Sequence, residues 1–255
     1  MAPRVLLLGG HGKVSQLLTP LILSRSWQLT SLIRDPAQKP AILDLGKNQP
    51  GQLDVVISSL EDIKSQSQAK EIIDSTSPSY IVWSAGAGGK GGPARTKAID
   101  QDACIAFIQA AAATPSVSKL IIISYVGSRR AKAPWWNDDE WVAMQEVNNG
   151  VLKNYYPAKL AADEALSSLY PKGKAGSVGI SLRPGNLTDG EGANVILGRT
   201  GARGKVPRQD VARVTAELLA NDGVDSGWLD LLEGEEDIGA AVSRYAKDGV
   251  DCSEG

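Results

Sequence analysis

The N-terminal segment 4–15, with the sequence RVLLLGGHGKVS, places glycines directly after a short apolar run. Residues 5–8 are typical of a buried strand, and the residues from Ser15 onward are typical of an amphipathic helix. Glycine is needed where a chain turns sharply after a strand and where a pyrophosphate approaches the first turn of a helix. Gly9 suits the first position and Gly12 the second, so the segment predicts a dinucleotide-binding turn.

The third position of the glycine pattern is Ser15, so the segment departs from the stricter Gly-x-Gly-x-x-Gly fingerprint. Its interpretation therefore depends on motifs further along the chain. For Lys13 the two interpretations are a contact with a phosphate and simple exposure to solvent. The expected cofactor contacts in this turn are Gly9, His11, Gly12, Lys13 and Val14.

A second apolar stretch, residues 27–33, ends at Arg34 and Asp35, roughly twenty residues beyond the glycines. An acidic residue at this strand end accepts hydrogen bonds from the free 2′-hydroxyl of NAD, whereas an arginine pairs with the 2′-phosphate of NADP. Because Arg34 comes first, the sequence favours NADP as the cofactor, with NAD as the alternative. A surface Arg-Asp pair in the turn before Pro36 is the purely structural interpretation.

Short apolar runs recur along the chain and alternate with helical patterns. Runs without polar alternation are typical of strands that are covered on both faces. The alternation predicts an α/β fold, a doubly wound, Rossmann-like parallel sheet with helices on both faces. The predicted strands are 5–8, 29–33, 53–57, 80–83, 120–123 and 178–182. The predicted helices are 15–24, 66–75, 96–113, 138–148, 159–169 and 210–219.

Residues 1–255 are predicted to form one domain, since this length suits one α/β unit. Two connections, 126–137 and 189–207, are long and irregular, and such loops are often functional. A short strand is predicted at 228–232. We expect residues 189–255 to contribute a small lid on the substrate side of the domain.

Composition excludes several classes of protein. The net charge is −2 and the basic residues are scattered, which argues against a nucleic-acid surface. No apolar stretch is long enough for a membrane span or a signal peptide, so we expect a cytoplasmic protein. Cys104, Cys252 and the single histidine, His11, have no metal-ligand spacing, so no metal is expected. The expected partner is a small-molecule substrate, and the expected state is a monomer or homodimer.

Further motifs come after the later predicted strands in a fixed order. They are Ser84-Ala85-Gly86 after the fourth strand, Ser124 at the end of the fifth, Tyr155-x-x-x-Lys159, and Arg183-Pro184-Gly185 after the sixth. Together with the glycine turn they resemble the short-chain dehydrogenase/reductase superfamily, and more narrowly its atypical, NAD(P)-binding branch. The resemblance covers residues 3–220. It implies that Lys159 holds the nicotinamide ribose and that the cofactor also contacts Ser84, Ala85, Gly86, Pro184 and Gly185.

Tyr155 and Lys159 are four residues apart, so they share one face if the segment is helical. A free tyrosine has a pKa of about 10, and a neighbouring ammonium favours the phenolate and lowers that pKa. Tyr155 would then exchange a proton with a carbonyl or hydroxyl oxygen to which Ser124 is also hydrogen-bonded. The predicted catalytic residues are therefore Tyr155, Lys159 and Ser124. For Ser124, a structural role at the strand end is the alternative.

Pro157 lies inside this motif, and a helix interior does not accept proline readily. If Asn154 is the N-cap, Pro157 falls in the first turn, where proline is tolerated, and Tyr155 still shares a face with Lys159. If the helix instead begins at Pro157, Tyr155 points away. Proton transfer must then come from another tyrosine, from water or from no protein group.

Two residue pairs in the loop after the fifth predicted strand have alternative interpretations. Trp135 and Trp136 would form either an aromatic wall over the substrate or a packing cluster, and packing is the commoner role. Arg129 and Arg130 would either meet an anionic substrate group or form a solvated surface pair. The sequence favours the surface pair, because arginine is mostly exposed in folded proteins.

The function that these observations favour is an NADP-dependent oxidoreductase of the atypical short-chain type, acting on a small carbonyl or conjugated substrate. The first alternative is a noncatalytic NADP-binding redox sensor that resembles the NmrA-like proteins. A nucleotide-sugar epimerase is less favoured, because the part of the chain after Leu187 is small for a sugar-nucleotide site. Convergence of Tyr155, Lys159 and Ser124 on the nicotinamide would separate an enzyme from a sensor.

Overall fold

The computed structural model describes residues 2–88 and 91–253. The strands are β1 (Arg4–Leu8), β2 (Gln28–Ile33), β3 (Gln52–Ile57), β4 (Tyr80–Trp83), β5 (Lys119–Ile123), β6 (Val178–Pro184), β7 (Asn186–Thr188), β8 (Asn194–Gly198), β9 (Lys205–Pro207), β10 (Gly227–Glu233) and β11 (Glu236–Asp237). The helices are α1 (Lys13–Leu23), α2 (Lys39–Asp44), α3 (Gln66–Thr76), α4 (Gly92–Thr96), α5 (Cys104–Ala112), α6 (Asp138–Asn149), α7 (Tyr155–Leu169), α8 (Arg208–Ala220) and α9 (Ile238–Asp248).

The central sheet has the strand order β3-β2-β1-β4-β5-β6-β10-β8-β11. Neighbouring strands are parallel from β3 to β10, and β8 is antiparallel to both β10 and β11. Strands β7 and β9 form a separate parallel pair. The strand order reverses at β1, which pairs with β2 on one side and with β4 on the other. Ligands of doubly wound folds bind at the carboxyl ends of the strands beside such a switch point.

The sheet is covered on both faces, as predicted for runs without polar alternation. In β1 the side chains of Val5 and Leu7 enter one core with α1, α8 and α9, whereas Leu6 and Leu8 enter the other with α3, α5 and α7. All four are buried. Full burial of such a side chain stabilises the fold by about 1.5–3 kcal/mol. The two cores hold β1 rigidly, and thereby fix the position of the glycine turn that comes after it.

The predicted α/β fold is confirmed, and a strand or helix lies at each of the positions predicted for one. A π-helical segment, Lys97–Ala103, joins α4 to α5 within the long predicted helix 96–113. The sequence interpretation missed α2 and α9. In α9 the Asp237 side chain accepts a hydrogen bond from the Ala240 backbone, so this start was marked by an N-cap residue.

The structure places most of residues 189–255 in the sheet and its covering helices rather than over the substrate side. Strand β10 continues the sheet beyond β6, and β8 pairs with β10. The physical reason is apolar burial, because the inward-facing Val195 and Leu197 of β8 are covered by the same core as α8 and α9. Of the described part of this segment, 189–253, only residues 202–204 and Arg208 reach the larger cavity at the strand ends. Among the described residues, no helix is long and apolar enough to cross a membrane.

Candidate functional site

Two adjoining cavities lie along the carboxyl ends of the parallel strands. The main cavity has a volume of about 1150 Å³ and lies at the ends of β1, β4, β5 and β6. A second cavity of about 260 Å³ lies at the ends of β1, β2 and β3. Gly12 and residues 84–87 line both. The arrangement suits an extended ligand with its middle at the glycine turn.

The two glycines of the turn have different structural roles. Gly9 has a φ of 85°, and a Cβ there would lie 2.7 Å from the Ala85 Cα, so this position requires glycine for the fold itself. Gly12 is the N-cap of α1 with a φ of −65°, which any residue adopts. No side chain caps α1 and its first turn contains no acidic residue, so free backbone N–H groups face the cavities. Such a helix start binds the phosphates of a nucleotide.

Substitution of Gly12 by valine is expected to abolish dinucleotide binding and to leave the fold intact. A Cβ at Gly12 would lie 3.2 Å from the Gly9 carbonyl oxygen and 3.6 Å from that of Ser84, so a small shift of the turn is enough to accommodate it. The rest of the side chain would fill the space in which the pyrophosphate must approach. Calorimetry with NADPH and thermal denaturation measure the two effects. Gly9→Ala is the control and should unfold the turn. Normal NADPH affinity in Gly12→Val would show that this glycine has no binding role.

The second cavity contains the charged groups expected around an adenosine ribose. Arg34 lines it, together with His11, Glu61 and Arg95. The Asp35 carboxylate instead accepts a hydrogen bond from the Ala37 backbone at 2.9 Å and caps the short turn after β2. The acidic residue after β2 is therefore used in the local turn, and Arg34 is the residue at the cavity.

Helix α7 begins at Tyr155, with Asn154 as the N-cap residue, although the Asn154 side chain caps no backbone group. Pro157 is the third helical residue, within the first turn. The Lys159 ammonium lies 6.0 Å from the centre of the Tyr155 ring, so the pair shares a face. Lys159 itself is buried and donates a hydrogen bond to the Ile123 carbonyl at 2.7 Å. Tyr155 lines the main cavity.

The Tyr155 hydroxyl has no hydrogen-bond partner among the described residues, which sets it apart from its neighbours. Tyr156 donates to the Arg129 carbonyl at 2.8 Å, and Tyr125 donates to the Asn148 side chain at 2.8 Å. The Tyr125 ring packs against Tyr155 with the ring centres 5.3 Å apart. Of these three tyrosines, Tyr155 is the one with a hydroxyl available for a ligand.

The pKa of Tyr155 is raised above its ordinary value, because burial disfavours the phenolate and outweighs the opposing effect of Lys159. The expectation of a lowered pKa was wrong in its net direction. It considered the charge of Lys159 and left out the cost of removing a phenolate from water. The Tyr155 phenol is therefore suited to donate a proton at neutral pH.

Ser124 lines the main cavity, but its hydroxyl donates to the buried Asp163 carboxylate at 2.6 Å. Ser128 and Ser181 donate to the same carboxylate at 2.6 and 2.7 Å. Asp163 and these three serines are all buried. Because its proton is directed at Asp163, the Ser124 oxygen faces the cavity as an acceptor. It would donate to a substrate oxygen only after rotating away from Asp163.

The loop after β5 packs as a cluster rather than as a wall over the cavity. The indoles of Trp135 and Trp136 both donate to the Thr200 carbonyl, at 2.9 and 2.8 Å. The Arg129 guanidinium lies 5.1 Å from the centre of each ring. Arg129 is buried and pairs with Asp230 at 2.7 Å, so its interpretation as a surface residue was wrong. No local pattern indicated a buried partner 101 residues away.

Each remaining cofactor contact predicted from the sequence lies at one of the two cavities, except Lys159, which lies behind the main cavity. Lys13 is exposed and pairs with Asp189 at 2.6 Å, and Arg208 pairs with the same carboxylate at 2.7 Å. The residues at the main cavity are Gly12, Lys13, Val14, Ser84, Ala85, Gly86, Pro184 and Gly185. Those at the second cavity include Gly9, His11, Gly12, Arg34, Ser84, Ala85 and Gly86.

Several cavity residues were missed from the sequence. Glu61 and the preceding serines come after β3 at the same sheet edge as Arg34, so the parallel topology was a usable signal for them. Asp100 is buried, lines the main cavity and accepts a hydrogen bond from the Ala87 backbone at 2.9 Å. It lies in the π-helical segment, within the predicted helix 96–113, where an acidic residue is ordinarily exposed to solvent. Burial raises the pKa of its carboxyl group.

Both cysteines are free and buried, and burial raises the pKa of each thiol to about 12. Neither is therefore a reactive thiolate at neutral pH. Among the described residues, no group of histidine, cysteine and acidic side chains has the arrangement of a metal site.

Comparison with known proteins places the chain in a family. A sequence model of NAD(P)H-binding proteins matches residues 9–222, which include the glycine turn, β2 to β6 and all of α8. A curated relative, a UPF0659 protein of Schizosaccharomyces pombe, is 28% identical over 247 residues, covering 94% of each chain.

Solved structures share the fold over more than nine-tenths of this chain. A Bacillus halodurans protein described as a putative NAD-dependent epimerase/dehydratase matches with a TM-score of 0.75 and 23% identity, covering 95% of this chain and 100% of its own. ChuY of Escherichia coli O157:H7, described as an anaerobillin reductase, matches with a TM-score of 0.66 and 21% identity, covering 91% and 98%. Because both identities are below 25%, these likenesses show the fold alone.

Proposed function

This chain belongs to the NAD(P)H-binding family, and we propose that it is an NADP(H)-dependent oxidoreductase that reduces a small carbonyl or conjugated substrate. The observation that carries the proposal is the Tyr155 hydroxyl, which lines the main cavity without a partner among the described residues while the neighbouring tyrosines are hydrogen-bonded. An unpartnered phenol beside a buried ammonium is a suitable proton donor for a substrate oxygen.

The two cavities fit an extended dinucleotide. The start of α1 offers backbone N–H groups to the pyrophosphate, and glycine at the N-cap leaves room for it. Arg34 is placed in the second cavity, where it would pair with the 2′-phosphate of NADP(H). This placement makes NADP(H) the proposed cofactor. The nicotinamide would then extend past residues 84–86 into the main cavity, toward Tyr155.

The chemistry that bound NADP(H) would supply here is transfer of a hydride to the substrate carbon. Tyr155 donates its proton to the substrate oxygen on which negative charge develops. Lys159 stabilises the phenolate that remains, because its ammonium lies 6.0 Å from the Tyr155 ring centre. Ser124 would accept a hydrogen bond from an O–H or N–H group that the substrate carries beside its carbonyl, and not from the carbonyl oxygen, since the Ser124 proton is directed at Asp163.

A second candidate function is a noncatalytic NADP(H)-binding redox sensor. The observation that favours it is the engagement of two of the three predicted catalytic residues with protein groups: Lys159 with the Ile123 carbonyl and Ser124 with Asp163. A sensor needs the dinucleotide site alone. An enzyme also needs Tyr155 to reach a substrate.

Mixing the protein with NADPH and a panel of aldehydes, ketones and quinones distinguishes the two functions. The enzyme is expected to consume NADPH, measured as a fall in nicotinamide absorbance that depends on one class of substrate. Tight NADPH binding with no consumption across the panel would favour the sensor. Absence of NADPH binding would contradict both.

The pH dependence of turnover is expected to reflect the raised pKa of Tyr155. Reduction requires the protonated phenol, so its rate should stay level from about pH 6 to 9 and fall only above the ordinary tyrosine pKa of about 10. Oxidation of the corresponding alcohol requires the phenolate, so its rate should rise over the same range. Steady-state rates in both directions measure this. A reduction rate that halves near pH 7 would contradict a raised pKa.

A further inference from the structure

Glu61 lies between two arginines in the second cavity. It belongs to a short 3-10 turn, Leu60–Asp62, that comes after β3. One carboxylate oxygen, Oε1, lies 2.6 Å from the Arg95 Nε and 3.4 Å from the Arg34 Nη1. All three residues line this cavity. Two guanidinium groups from different elements thus converge on one anionic oxygen.

The two arginines differ in how firmly they are held. The Arg95 side chain, on α4, is 16% exposed and also donates to the Ala87 carbonyl at 3.3 Å. The Arg34 side chain, after β2, is 53% exposed, and its 3.4 Å contact with Glu61 is long for a hydrogen bond. Arg95 is therefore a fixed cation, whereas Arg34 is able to turn toward a ligand. Glu61, at 38% exposure, is within reach of water and can be displaced.

We propose that Arg95 and Arg34 together form the site for the 2′-phosphate of NADP(H), and that Glu61 is the internal anion which this phosphate displaces. The inference rests on the proposed function, because it assumes that the adenosine ribose enters the second cavity. Arg95, on α4, is then a second ligand for the phosphate. It lies away from the end of β2, where sequence patterns place the residue that binds this phosphate. Glu61 sets how strongly NADP(H) is preferred over NAD(H).

The effect of Glu61 on cofactor preference arises from its charge. With NADPH bound, the Glu61 carboxylate lies beside a phosphate that carries about two negative charges, and this repulsion weakens binding. NADH has no 2′-phosphate, so it binds without displacing Glu61. Removal of the Glu61 charge should therefore strengthen NADPH binding and leave NADH binding nearly unchanged. Partial exposure keeps the effect modest, roughly five- to tenfold.

The test is calorimetric titration of Glu61→Gln with NADPH and NADH. NADPH should bind roughly five- to tenfold more tightly than to the unaltered protein, and NADH within about twofold. Adenosine 2′,5′-bisphosphate should gain affinity to the same extent, whereas adenosine 5′-monophosphate should not. Asp62→Asn is the matched control, because it removes a neighbouring exposed charge that does not line the cavity.

The arginines are tested in the opposite direction. Arg34→Ala and Arg95→Gln should each weaken NADPH binding at least roughly tenfold more than NADH binding. Thermal denaturation of each variant establishes that it is folded, and Arg95→Lys, which keeps the charge, should retain part of the affinity for NADPH.

Two results would overturn the inference. An unchanged ratio of NADPH to NADH affinity in Glu61→Gln, or an equal change of this ratio in Asp62→Asn, would show that Glu61 has no specific role. Neither result would contradict the proposed dinucleotide site. If the unaltered protein binds neither nucleotide, the inference fails together with the proposed function.

Discussion

Tyr155→Phe is expected to lower turnover by roughly two to four orders of magnitude while dinucleotide affinity changes by less than about twofold. The substitution removes the proposed proton donor and keeps the aromatic ring. The ring retains its packing against Tyr125, and the lost hydroxyl has no hydrogen-bond partner among the described residues. The fold should therefore be as stable as that of the unaltered protein.

Tyr156→Phe is the matched control for this experiment. It removes a hydroxyl from the next residue of the same helix, where that hydroxyl donates to the Arg129 carbonyl. Loss of this bond should cost about 0.5–1.5 kcal/mol of stability and leave turnover nearly unchanged. Initial rates, calorimetry with NADPH and thermal denaturation of both variants separate the two roles. Full activity in Tyr155→Phe would remove Tyr155 from the mechanism.

Asp230→Ala is expected to lower the free energy of unfolding by about 3–5 kcal/mol. Asp230 is buried between two buried arginines, with Arg129 at 2.7 Å and the Arg183 Nε at 3.1 Å. Removal of the carboxylate leaves two buried cations without the anion that pairs with both of them, and this costs more than replacing the whole ion-pair cluster by apolar residues. Burial already lowers the pKa of Arg183 despite the nearby carboxylate.

Urea denaturation measures this loss. Asp74→Ala is the control, because Asp74 pairs with Lys70 on the exposed surface of α3 and should contribute less than about 0.5 kcal/mol. A loss below about 1 kcal/mol in Asp230→Ala would mean that water or another group compensates the arginines. The ion pairs of Asp230 matter for the site, because its partner Arg183 immediately precedes Pro184 and Gly185 at the main cavity.

The fold was predictable because its signals are local. Apolar runs such as that of β1 alternate with helical patterns, and this alternation alone defines a parallel sheet. The glycine turn was predictable for the same reason, since a positive φ at Gly9 and an open N-cap at Gly12 are properties of single positions. The start of α7 was left open between Tyr155 and Pro157, and the structure has it at Tyr155.

The rest of the site depends on contacts between distant residues, which one sequence does not reveal. The hydrogen bond from Ser124 to Asp163 joins a strand end to the middle of a helix. The pairing of Arg129 with Asp230 and the arginine contacts of Glu61 also cross the fold. These contacts changed the interpretation of Ser124 from donor to acceptor and that of Arg129 from surface to interior.

A crystal structure of the protein with NADP⁺ tests the proposed dinucleotide site and proton donor most directly. We expect the pyrophosphate to accept hydrogen bonds from the backbone at the start of α1, and the 2′-phosphate to lie against Arg34. We also expect the nicotinamide in the main cavity, beside the Tyr155 hydroxyl. A nicotinamide directed out of that cavity, with Tyr155 left unpaired, would contradict the assignment of Tyr155 as the proton donor.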